Sequence, residues 1–125
     1  VSGRRQEMLE KIVTINMLYD FYGNLLPERQ REYLRLYREE NWSLSEIATE
    51  FGLTRQGVCA SIKKAEHVLA EYEEKLELLA RFKRTEQVLS RIDHALADLI
   101  DEYRNDEDIA LKLSMIQKYT TVLGE

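Results

Sequence analysis

The chain has 125 residues, with one proline, five glycines, one cysteine, 44% hydrophobic and 33% charged residues, and a formal net charge of -5. That content is ample for a folded core and excludes a disordered tail, and a single thiol excludes an intramolecular disulfide. The length suits one domain, or a small domain with a helical extension, and scarce glycine and proline beside plentiful Leu, Glu, Arg and Lys predict a nearly all-helical protein. No stretch reads as a signal peptide or a membrane span, so a cytoplasmic location is expected.

Residues 1–7, VSGRRQE, lack apolar periodicity and are expected to be disordered or vector-derived, outside the fold. From Met8 to Leu26 the positions Leu9, Ile12, Leu18, Tyr19, Tyr22, Leu25 and Leu26, widened by Met17 and Phe21, predict a helix with a broad buried stripe. Pro27 suits the first position of a second helix, whose amide there has no intrahelical partner to lose. Along it Tyr33, Leu34, Tyr37 and Trp42 are expected inward. Arg29, Arg31, Arg35 and Arg38 alternate with Glu28, Glu32, Glu39 and Glu40, a pattern of charge pairs on a wetted face. A sharper reading makes Arg31 or Arg35 an auxiliary phosphate contact.

The stretch from Ser43 to Lys64, SLSEIATEFGLTRQGVCASIKK, organises the rest. Ser43 and Glu46 form a capping box, and Ile47, Ala48 and Phe51 share one face. Gly52 stands where a left-handed residue ends a helix, and Leu53 is placed to fold back onto that face. Thr54 caps the next helix, on which Val58, Ile62 and Ala65 recur at steps of four and three. Small Ala48 allows the two helices to cross closely. This is the helix-turn-helix pattern, in which the second helix presents its first turns to a groove of nucleic acid.

Charge is spread unevenly. Residues 1–42 are neutral overall, residues 43–64 carry +1 and residues 65–125 carry -6. Arg55, Lys63 and Lys64 are the only charged side chains between Gly52 and Ala65. A carboxylate-free face on an acidic protein points to phosphate, with binding that is local, modest and salt-sensitive.

Beyond that face the pattern continues. Val58, Ala65, Tyr72 and Leu79 are spaced by sevens, with Ile62, Leu69 and Leu76 interleaved. This coiled-coil seam predicts one helix from about Arg55 to about Phe82. Glu71, Glu73, Glu74 and Glu77 read as its wet side. A further helix carries Val88, Leu89, Ile92, Leu96, Leu99, Ile100 and Tyr103, and a last one, capped by Asp106 and closed by Gly124, carries Ile109, Leu113, Ile116 and Tyr119. These pack on the long helix or exchange across a homodimer, which would supply two recognition helices. The expected organisation is a helix-turn-helix domain at 8–70 and a C-terminal helical extension at 71–125.

The span from Leu26 to Leu69 resembles region 4 of bacterial sigma-70-type factors, with a proline-led helix before the helix-turn-helix. Over roughly residues 9–82 the chain is similar to the YlxM family of small bacterial helix-turn-helix proteins, most specifically at LYDFYGNLL, SLSEIA and TRQGV followed by IKKAE. The resemblance implies a sigma-70 region 4-like fold, and with the seam and the C-terminal apolar helices the expected fold is an all-α helix-turn-helix bundle whose long recognition helix extends into a C-terminal helical dimerisation region. It also implies an association with the signal recognition particle pathway. It is loosest at Gly57, Cys59, Ala60 and Ser61, where that family commonly carries alanine, tyrosine, aspartate and asparagine. Fewer large polar groups there leave less to read base edges. Gly57 is read either as room for a phosphate or as close packing against Tyr33 or Leu34.

The expected nucleic-acid contacts are Thr54, Arg55, Gln56, Lys63 and Lys64, with DNA or signal recognition particle RNA as ligand and signal recognition particle pathway proteins as further partners. A regulatory nucleic-acid-binding protein is the leading reading. Its rival is an adaptor that docks on a component of that pathway, protein or RNA, without sequence-specific DNA binding. His67 and His94 lack partners at metal-ligand spacing, Cys59 lacks a nucleophilic constellation, and the carboxylates at Asp98, Asp101, Glu102, Asp106, Glu107 and Asp108 lack the spacing and glycine of a calcium loop. No metal, cofactor or enzymatic activity is expected.

Overall fold

A computed structural model describes residues 2–124, and its first helix starts earlier than the apolar pattern does. Helix α1 runs Ser2–Tyr22, followed by a 3-10 turn at Gly23–Leu25, then α2 (Glu28–Arg38), α3 (Leu44–Phe51), α4 (Arg55–Leu76), α5 (Leu78–Glu102) and α6 (Glu107–Leu123). The protein is all-helical, with no strand among the described residues. Residues 2–7, expected to be disordered or vector-derived, are helical: Arg4, Arg5, Gln6 and Glu7 are adequate helix formers, and extending an existing helix costs far less than nucleating one. The chain divides into two compact units, one up to Leu79 and one from Ala80 onward.

In the amino-terminal unit the core is shared by every helix. Tyr22 from α1, Leu34 from α2, Ile47 from α3 and Val58 and Leu69 from α4 are all fully enclosed. Side chains of this kind each stabilise the fold by roughly 1.5–3 kcal/mol, which makes their meeting point the anchor of the unit. Tyr33 meets Phe51 edge-on at 4.9 Å, joining α2 to α3. Leu36 is buried beside the expected Tyr33 and Leu34, whereas Tyr37 and Trp42 are half-buried at its margin. Pro27 is the residue before α2 and not its first, its carbonyl accepting the Arg31 N–H at 3.0 Å.

The stripe on α1 is shorter than its pattern. Burial begins at Ile15 and continues through Leu18 and Tyr22 to Leu26, while Leu9 and Leu25 stay more than half exposed. Among the described residues before Ile15 only Ile12 is half-buried, while Met8, Leu9 and Val13 are exposed, since an apolar side chain is buried only where a second surface reaches it.

The long seam is broken. Helix α4 ends at Leu76 instead of reaching Phe82, because Glu77 adopts the left-handed conformation (φ 55°, ψ 31°) and its N–H closes on the Glu73 carbonyl. A helix restarting at Leu78 exposes unpaired N–H groups, and a tertiary bracket receives them. The Tyr22 hydroxyl accepts the Leu78 N–H at 3.0 Å and donates to Glu73 Oε1 at 2.7 Å, and that same oxygen accepts the Leu79 N–H at 3.0 Å. Glu73 is therefore turned inward and not part of the wet side. Leu79 is buried after the bend, whereas Leu76, in register for a straight rod, is 45% exposed.

The carboxy-terminal unit is an antiparallel pair of helices. Asp106 caps α6 by accepting the Ile109 N–H at 3.2 Å, and Gly124 closes it, although in a right-handed conformation. Leu89, Leu96, Leu113 and Thr120 are buried, and Thr120 donates to Asp93 at 2.7 Å across the pair. The expected inward positions Val88, Ile92, Leu99, Tyr103, Ile109, Ile116 and Tyr119 are exposed. Two helices have only one seam between them and cannot cover so wide an apolar face.

Candidate nucleic-acid interface

Both helix starts of the central motif are built as their residues dictate. The Ser43 hydroxyl accepts the Glu46 N–H at 3.0 Å while Glu46 returns to the Ser43 N–H at 3.2 Å. Gly52 is left-handed (φ 67°, ψ 34°), and its amide and that of Leu53 both close on the Ala48 carbonyl. The Leu53 backbone thus turns back as expected, but its side chain remains 44% exposed. Ile47 and Ala48 meet Val58 and Ile62 in the core, which fixes the crossing of α3 and α4.

Thr54 accepts the Gly57 N–H at 3.0 Å, and no acidic residue lies in the first turn of α4. The partial positive charge of that helix end is therefore not offset by its own carboxylates. Thr54, Arg55, Gln56, Lys63 and Lys64 are all exposed. Among the described residues, Arg55, Lys63 and Lys64 form no ion pair, so no intramolecular contact has to break before they meet a ligand. With Val58, Ile62, Ala65 and Leu69 facing inward, a turn of about 100° per residue sets Gln56, Ala60, Lys63 and His67 along the opposite, outer row. Arg55, seven residues before Ile62, shares the register of the inward row and is exposed because it opens the helix. Lys63 is about 12 Å further along the axis than Arg55.

The cations of α2 are engaged otherwise. Arg35 pairs with Glu32 at 2.7 Å and Glu40 at 3.4 Å, and the Glu32 carboxylate raises the pKa of its guanidinium. Arg31 bonds to Asn24, Arg29 stands over the Phe51 ring, and Arg38 holds Glu66 of α4 at 2.7 Å. Of the charge pairs expected along α2, only Arg35–Glu32 has the spacing of one helix turn among the described residues, and half-buried Arg38 instead braces α4. Gly57 does not pack on Tyr33 or Leu34: a Cβ at Gly57 meets only the Thr54 hydroxyl oxygen, at 3.0 Å. The glycine instead leaves room for the cap that starts the helix.

One residue of the outer row is not singled out by sequence motifs. His67 is exposed and stands 3.0 Å from Glu71 on the next turn, in line with Gln56 and Lys63. Its signal is positional, eleven residues after Gln56, and metal-ligand spacing does not reveal it. Cys59 is half-buried and free. Among the described residues, no group of three or more His, Cys, Asp or Glu side chains could hold a metal ion, and no helix is long and apolar enough to cross a membrane.

Residues 9–111 match the family model described as "Putative helix-turn-helix protein, YlxM / p13 like". A UPF0122 protein of Halalkalibacterium halodurans is 41% identical over 109 residues, covering 87% of this chain and 96% of that protein. One from Anoxybacillus flavithermus is 40% identical over 111 residues, covering 89% and 98%, and one from Bacillus cereus is 42% identical over 100 residues, covering 80% and 89%.

Proposed function

The chain belongs to the YlxM/p13-like family of helix-turn-helix proteins, and we propose that it is a regulatory protein that binds nucleic acid through the start and outer face of α4. The observation that carries this is the exposed, unpaired set of Arg55, Lys63 and Lys64 beside a helix end with no carboxylate. Thr54 and the helix end hold one phosphate, Arg55 and Gln56 reach into the groove, and Lys63 and Lys64 hold backbone further along. Ala60 lies between them with no polar group to offer, so readout of bases is slight and phosphate binding dominates. A second copy doubles a basic face that is small on one chain.

The ligand is DNA, or the RNA of the signal recognition particle, recognised by its shape. Its setting is the signal recognition particle pathway, which rests on the family resemblance. The net charge of -5 favours a second reading, an adaptor that docks on a protein of that pathway through the same module. Titration with duplex DNA and with structured RNA at several salt concentrations separates them. Replacing Arg55 and Lys63 together by alanine should lower the salt slope on duplex DNA by about two, since each phosphate a cation neutralises contributes roughly 0.9 to that slope. An unchanged slope, or no binding by the parent chain, would remove the nucleic-acid reading and leave the adaptor.

A further inference from the structure

We propose that the carboxy-terminal unit is an interface for a second copy of this chain, which lies on it antiparallel to close a four-helix bundle. This deepens the pairing of chains taken up above by naming its surface and polarity, and it stands whether or not nucleic acid is the ligand.

The surface is a single face. On α5 the exposed Val88, Ile92 and Leu99 form a stripe less than a quarter turn from the buried seam of Leu89 and Leu96. On α6 the exposed Ile109, Ile116 and Leu123, spaced by sevens, stand off from Leu113 and Thr120 by a similar angle in the same rotational sense. The helices are antiparallel: Asp93 reaches Thr120, and Leu89 lies beside Gly124. Equal offsets of the same sense on antiparallel neighbours fall on the same side of the pair. With Tyr103 and Tyr119 beside them, these side chains are between 36% and 68% exposed. They leave on the order of 800 Å² of surface uncovered, about the share each partner contributes to a standard protein interface.

Charge selects the occupant and its direction. Residues 81–91 hold Arg81, Lys83, Arg84 and Arg91 against Glu86, a net of +3, whereas residues 98–108 hold six carboxylates against Arg104, a net of -5. The two ends of α5 and its following turn are thus opposite in sign. A parallel copy sets like charge on like, and an antiparallel copy sets the basic end on the acidic end. The detail agrees with the ends. Arg84, Arg91, Asp98 and Glu102 line the edge of the stripe away from α6, and none forms an ion pair among the described residues. Arg84 and Glu102 lie equally far either side of Asp93, and Arg91 and Asp98 have nearly the same centre. A two-fold axis there pairs Arg84 with Glu102 of the second copy, and Arg91 with its Asp98, twice each.

Sedimentation equilibrium on the full chain tests this. The parent chain should be dimeric at micromolar concentration. Arg84→Glu and Glu102→Arg should each weaken self-association roughly tenfold through two symmetric ion pairs. An equimolar mixture of these two variants should recover the parent's affinity, since each supplies the charge the other lacks. Ile92→Glu with Ile116→Glu should be monomeric with unchanged helical circular dichroism. A monomeric parent chain, or a double variant as dimeric as the parent, would overturn the proposal and leave another segment or another protein as the cover. A mixture no tighter than its components would overturn the antiparallel arrangement. These readouts are of mass and not of salt slope, so either proposal can fail alone.

Discussion

Replacing Tyr22 by phenylalanine isolates the bracket that sets the bend between α4 and α5. The ring keeps its stacking on Tyr72, 5.8 Å between centroids, and its place in the core. What goes is one hydroxyl, completely enclosed, that donates to Glu73 and accepts the Leu78 amide. Loss of a hydrogen bond to a carboxylate and an amide left unpaired together cost about 2–4 kcal/mol. Glu73 still accepts the Leu79 amide, which holds the figure to that range. In a unit of this size such a loss lowers the midpoint of thermal unfolding by about 10–20 °C.

The assay is urea and thermal unfolding followed by the fluorescence of Trp42, the single tryptophan, half-buried against the affected core. Tyr33→Phe is the control, being also buried but with no hydrogen bond from its hydroxyl among the described residues. Amide exchange at Leu78 and Leu79 should accelerate in the Tyr22 variant alone. A loss below about 0.5 kcal/mol, equal to that of the control, would show that the bend stands without the bracket. Burial, and then the bond to Glu73, raises the Tyr22 pKa above its ordinary value. The folded state thus favours the neutral phenol, and this contribution is whole below pH about 10 and lost as pH rises through the raised value. Tyr19 is raised as well, chiefly by burial, so the phenylalanine variant should flatten only part of that alkaline loss.

Glu77→Gly should stabilise the chain by about 0.5–1 kcal/mol in the same urea titration, because the left-handed residue at the bend is exposed and glycine adopts that conformation freely. Destabilisation would mean that the Glu77 side chain contributes more than its backbone costs. Gly57→Ala adds about 1 kcal/mol of helix propensity but sets a methyl group 3.0 Å from the Thr54 hydroxyl oxygen. The gain should therefore emerge only in a Thr54→Ala background, as a non-additive double-mutant cycle, and strict additivity would show that the cap does not crowd the glycine.

Much of the central motif was legible because its signals are local. A cap residue, its reciprocal Glu46 and the left-handed Gly52 each act within four or five residues, and the structure has all three where the sequence asks for them. The exposure of Gln56, Lys63 and Lys64 follows from the same periodicity, since the inward row of α4 leaves them outside, whereas Arg55, in register with Ile62 and Leu69, is exposed because it opens the helix. The break at Glu77 was not legible. Nothing within reach along the chain ends a helix there: neither glycine nor proline is present, and the sevens run through it. The groups that receive the restarted helix lie 51 residues apart in sequence, where the Tyr22 hydroxyl meets Glu73.

Helical content, the caps, the turn and the outward placing of Gln56, Lys63 and Lys64 on α4 were thus determined by the sequence alone, since each depends on neighbours one or two turns away. Tertiary structure decided where the apolar pattern is buried and where it is only apolar. Leu9, Ile92 and Ile116 carry the same periodic signal as Leu18, Leu96 and Leu113, yet the first three are exposed and the last three buried. Periodicity orients a side chain on its helix, but burial needs a second surface within van der Waals reach, and that surface comes from distant residues.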